Sequence, residues 1–91
     1  ITAYVARRDS DNLAQSTAGM IRDFYLEFGG TRLEGPEDVA VIDILDTIEL
    51  VFSQGQYVIG VHEAPDKETA LMLAEQIRKR LQERGDDKTE S

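Results

Sequence analysis

The residues able to do chemistry are few. His62 is the single histidine, and Thr47, Glu49, Glu63 and Asp66 fall near it once Thr47–His62 is folded into a hairpin. A histidine oriented by a carboxylate is the constellation of a general base, as a small hydrolase or isomerase would use it. No serine has a nucleophile context to match it and the chain has no cysteine, so the same residues read as a partly exposed strand end with solvated charge. Asp43, Asp46 and Glu49 recur at three-residue steps. They would align as oxygen ligands for a divalent ion on a helix, but a strand splits them between faces, and neither a calcium loop nor a paired-histidine spacing is present. Gly29-Gly30 and Gly35 lack the lysine and the spacing of phosphate-binding loops and read as a helix stop and a turn. No metal, cofactor or catalytic residue is assigned, which points away from an enzyme.

Arg78-Lys79-Arg80 is the one basic cluster, and it reads as the solvated side of a helix. Ten basic against eighteen acidic residues give a net charge of −8, which opposes nucleic acid and anionic membrane surfaces. The aromatic residues Tyr4, Phe24, Tyr25, Phe28, Phe52 and Tyr57 lack the basic companions of a base-stacking sheet. Without cysteine, disulfides and thiolate metal sites are excluded. No apolar run reaches the roughly 18–20 residues of a membrane span. The chain begins at Ile1, which suggests a processed product or an excised domain.

The elements that position these residues centre on Thr47–His62, two strands joined at Gln54-Gly55. With that pair as a two-residue loop, Phe52 faces Tyr57, Leu50 faces Ile59 and Ile48 faces Val61 on one side. The other side carries Val51 with Val58, Glu49 with Gly60, and Thr47 with His62. Thr2–Arg7 alternates weakly as a first strand. Asp9–Asn12 offers helix caps, and Leu13, Thr17, Met20, Ile21, Phe24 and Phe28 then form a helical stripe, with Ala14, Ala18 and Tyr25 beside it, up to Gly29-Gly30. A short edge strand fits residues 31–34, and Val39–Leu45 reads as a strand apolar on both faces, with Leu45-Asp46 bending into the hairpin. Asp66 caps a second helix with the stripe Ala70, Leu73, Ala74, Ile77 and Leu81, which Gly85 should end, leaving residues 86–91 as a polar, disordered tail.

The reading is therefore one α+β domain over residues 1–85, in the order β-α-β-β-β-α, with an antiparallel or mixed sheet and both helices packed on one face. Small residues at Ala14, Ala18, Gly19, Ala70 and Ala74 permit close approach. The sheet's other face would then hold Ile42, Ile44, Val51 and Val58, too apolar to stay bare, and so the candidate interaction face for a protein partner or a second copy.

The string from Leu50 through Val61, followed by a cap and the Ala70–Leu81 helix, resembles the C-terminal part of uncharacterised bacterial domains. In that group a strand ending in an aromatic residue, a glycine turn, a Tyr-Val strand and an alanine-rich helix follow in this order, often in exported or membrane-attached proteins. The resemblance implies an extracytoplasmic binding or scaffolding module and carries no functional residues. Together these readings give a non-catalytic protein-interaction or ligand-binding module, with homodimerisation as the alternative.

Overall fold

A computed structural model describes the backbone of residues 1–90 and the side chains of residues 1–83. Its elements are β1 (Thr2–Arg7), α1 (Asp11–Glu27), β2 (Thr31–Leu33), β3 (Ala40–Ile44), β4 (Thr47–Gln54), β5 (Tyr57–Ala64) and α2 (Lys67–Glu90). The α+β class holds, and residues 31–33 form the edge strand. All five strands join one antiparallel sheet in the order β1-β5-β4-β3-β2.

Local chemistry explains the element ends. Ser10 caps α1 by accepting the Leu13 N–H at 3.1 Å, and Asp66 caps α2 by accepting the Thr69 N–H at 2.7 Å. That hydrogen bond lowers the Asp66 pKa. Gly29, at φ 94°, follows the end of α1 in the left-handed conformation. Helix α2 continues through Gly85 to Glu90, so the expected stop is absent; the side chains of the expected tail lie outside the described residues.

The β4–β5 turn is one residue later than expected. Gln54 pairs with Tyr57, so the two central residues are Gly55 and Gln56, and Phe52 faces Ile59 while Leu50 faces Val61. Gly55 takes the positive φ (56°) at the first central position, as a type II′ turn needs. The slide moves each partner by two residues, so every side chain keeps its expected face. It also leaves Gln54 on the strand, where Nε2 donates to the Arg78 carbonyl at 3.4 Å. The β3–β4 turn uses Leu45 and Asp46, both left-handed (φ 51° and 63°), at a cost on the order of 1 kcal/mol for each side chain.

The helices lie on opposite faces of the sheet, which corrects the single-face packing. On one face Val41, Leu50, Phe52, Ile59 and Val61 pack with Ala70, Ala74, Leu73 and Ile77 of α2. On the other, Ala40, Ile42, Val51 and Val58 pack with Ala14, Ala18, Ile21 and Tyr25 of α1. The physical reason is the demand of two apolar faces: β3, β4 and β5 are buried on both sides, and each side needs its own cover.

Helix α1 meets the sheet through its small residues. Ala14 and Ala18 are buried, whereas the bulky part of the expected stripe points outward, leaving Met20 71%, Phe24 55% and Phe28 68% exposed. Close approach explains the choice, because alanine lets the helix backbone settle against Ile42, Val51 and Val58 without voids.

Ala18→Leu should therefore lower stability by roughly 1–3 kcal/mol through overpacking. Phe24→Ser should change it by no more than about 0.5 kcal/mol, as for an exposed site. Urea unfolding of the two variants checks both values, and the reverse order would contradict the placement of α1.

Candidate functional site

The proposed interaction residues are not on a free surface. Ile42, Val51 and Val58 are 0%, 2% and 1% exposed beneath α1, and Ile44 is half-buried near the end of β3. Their apolar surplus is satisfied within the chain. Most of the exposed large apolar residues lie instead on the outer side of α1 and along β1, apart from Leu45 in the β3–β4 turn and Met72 on α2.

Among the described residues one polar side chain is buried in the core. Glu49, 2% exposed, sits in the middle of β4 on the α1 face. Opposite it β5 carries a bulge: Leu50 pairs with Val61 but Ile48 pairs with Ala64, so His62 and Glu63 share the place of one residue. Glu63 accordingly takes a left-handed conformation, φ 55°. Its N–H, freed from the regular ladder, donates to Glu49 Oε2 at 2.7 Å, and His62 Nδ1 lies 2.6 Å from Oε1. Tyr25, from α1, lies close enough to Glu49 for the carboxylate to act on its hydroxyl. The carboxylate thus joins β4 to the β5 bulge and lies beside α1.

These contacts set the ionisation of the cluster. The hydrogen bond to Glu49 is the largest influence on His62 and raises its pKa above 6.5; burial opposes the shift, and the charges of Glu49 and Glu63 add to it. Burial, then the Glu49 hydrogen bond and charge, push Tyr25 far above its ordinary value, and burial with the same charge raises Tyr4. His62 Nε2 lies 3.1 Å from Glu63 Oε1, so both ring nitrogens face carboxylates. That geometry favours an imidazolium ion pair and leaves no ring nitrogen free to take a proton from a substrate.

Asp43 is exposed on β3, Asp46 is in the turn and Glu49 is buried, so the three carboxylates are dispersed as the strand reading requires. Among the described residues no three His, Asp or Glu side chains converge as metal ligands do. Arg78 leaves the basic cluster altogether: its guanidinium pairs with Asp38 at 3.0 Å and lies over the Phe52 ring, 4.5 Å from the centroid. Lys79 and Arg80 are exposed. No helix of the described residues is long and apolar enough to cross a membrane.

Beside the Glu49 cluster lies an apolar groove of about 500 Å³ between α1 and β1, lined by Tyr4, Thr17, Met20, Ile21, Phe24 and Tyr25. Its floor is fixed from below. The Tyr4 ring lies across Gly60, its partner on β5, so closely that any side chain at position 60 would collide with it. Tyr25 meets Phe24 edge-on, with centroids 5.8 Å apart. Phe24 in turn packs on Phe28 at 4.6 Å, so the wall continues along the exposed side of the helix. A second, smaller hollow of about 210 Å³ lies on the far side of α1, where Arg22 and Arg32 face Glu37 and Asp38. Its mixed charges select no ligand sign.

Sequence reasoning found Tyr4, Met20, Phe24 and Tyr25 but assigned the stripe to the core. Gly60 in an otherwise apolar strand, facing an aromatic residue, is the signal that could have located the groove floor. No protein-family model matches the chain, and no curated protein or solved structure matches it either.

Because the folded-state pKa of His62 is raised, its ion pair contributes stability in full below about pH 6.5, the unfolded value, and that contribution is lost as pH rises through the higher folded value. Unfolding free energies across this range should show wild type losing its advantage over His62→Gln toward alkaline pH. A difference between the two that does not vary with pH would count against the ion pair.

Proposed function

We propose that this domain is a non-catalytic protein-interaction module whose binding surface is the groove between α1 and β1, with Met20, Phe24 and Phe28 as its apolar wall. The observation that carries this reading is the outward display of those three residues beside a groove whose floor is held by Gly60 and Glu49. Apolar side chains left contiguous in water mark contact surfaces, since removing them from water stabilises a complex by roughly 25 cal/mol per Å².

An apolar segment of a partner protein fits the groove best. The lining is apolar and aromatic except for Thr17 and the two tyrosine hydroxyls, and the net charge of −8 disfavours phosphate-bearing ligands. Catalysis has less support, because His62 is held between two carboxylates. The extracytoplasmic placement suggested by the bacterial resemblance is compatible with a cysteine-free binding module and adds no residue to the site.

Native protein should bind an apolar fluorescent dye. Met20→Glu and Phe24→Glu should each weaken that binding several-fold while unfolding free energy stays within about 0.5 kcal/mol of wild type. Dye binding that is absent, or undiminished in both variants, would refute the groove.

A further inference from the structure

The outer edge of β1 is an unpaired hydrogen-bonding surface. The Arg8 N–H donates to the Gln56 carbonyl at 2.7 Å, continuing the β1–β5 register one step beyond Arg7 and Tyr57. Hydrogen-bonded and non-hydrogen-bonded pairs alternate along an antiparallel ladder. Ala6, Tyr4 and Thr2 therefore exchange bonds with β5, while Arg7, Val5 and Ala3 turn their N–H and C=O groups away from it. Among the described residues no strand lies on that side.

The two sheet edges differ in protection. Edge strand β2 is three residues long and runs into Gly35-Pro36, features that discourage further pairing. Strand β1 is twice that length with no proline, lysine or bulge, and its Val5 is 46% exposed.

We propose that β1 pairs antiparallel with β1 of a second copy, about a twofold axis at Val5, to form one continuous ten-stranded sheet. This deepens the interaction-module reading by naming the partner, and it rests on that reading. Two features select a second copy. The register that sets Val5 against its twin also sets Ala3 against Arg7 of the other copy, so every outward N–H and C=O of Ala3, Val5 and Arg7 finds a partner. The twofold keeps Arg7 away from its own twin. Val5 packs on Val5 on the α2 side, and Tyr4 lies beside Ala6 of the other copy on the α1 side, which brings the groove of each copy to the seam.

The test is solution mass by light scattering from micromolar to millimolar concentration, for wild type, Val5→Pro and Val5→Thr. Proline removes the outward N–H and is tolerated on an edge strand, whereas threonine keeps it. The expected result is a wild-type dimer, a folded monomeric Val5→Pro and a dimeric Val5→Thr. Amide exchange on wild type gives a second readout that needs no variant: Ala3, Val5 and Arg7 should gain protection as concentration rises, while Tyr4 and Ala6 are protected throughout. A wild-type monomer at millimolar concentration overturns the pairing, and the dye-binding loss in Phe24→Glu then decides the groove independently. A dimer that survives Val5→Pro but is broken by Phe24→Glu also overturns strand pairing, and leaves the groove as the contact.

Discussion

A carboxylate in the middle of a sheet must have its oxygens satisfied, and the arrangement around Glu49 follows from that requirement. Burying an ionised group without partners costs several kcal/mol, so the structure must supply donors at that point. The β5 bulge does so by turning the Glu63 N–H inward and placing His62 at the rim. Tyr25 packs with Ile21 on the cluster of Ile42, Val51 and Val58, which brings the C-terminal half of α1 beside this carboxylate. Gly30 then allows the chain to leave the helix close to the sheet, because a side chain there would strike Ile42 and the Tyr25 carbonyl at 2.6 and 2.7 Å.

The two helices solve the same packing problem with different results. Both approach through alanines, Ala14 and Ala18 in α1 and Ala70 and Ala74 in α2, each pair buried. In α2 the flanking Leu73, Ile77 and Leu81 fold down onto the sheet. In α1 the corresponding bulk at Met20, Phe24 and Phe28 stays outside, since Tyr25 and Ile21 already occupy the space above Val51 and Val58. Among the described residues the contiguous apolar surface of Met20, Phe24 and Phe28 therefore remains on α1, next to the longer strand edge. That proximity ties the proposed binding surface to the proposed self-pairing.

Much of the fold could be read in the sequence, because its signals are local. The hairpin, the Ser10 and Asp66 neighbourhoods, the Gly29 stop and the Leu45-Asp46 bend all rest on turn and cap chemistry that needs no tertiary information. The faces of β4 and β5 were also legible, since a two-residue slide of the turn leaves alternation intact. Helix placement was not. A stripe of large residues looks like a core face, but α1 buries its small ones, and periodicity cannot distinguish two stripes that lie side by side on one helix. The second apolar sheet face was recognised through Ile42, Val51 and Val58 and then given to a partner, because α1 had been placed elsewhere. Glu49 read as a residue of the polar side of the hairpin, since the bulge that receives it interrupts the pattern at His62-Glu63 without any glycine or proline to mark it.

The central claim is that Glu49 couples α1 to the sheet through Tyr25, and a double-mutant cycle measures that coupling directly. Unfolding free energies of wild type, Tyr25→Phe, Glu49→Gln and the double variant should give a coupling of about 1–2 kcal/mol, in the range for a hydrogen bond to a charged group. Additivity within about 0.3 kcal/mol would mean that the two residues act independently, and that something other than this carboxylate holds α1 in place.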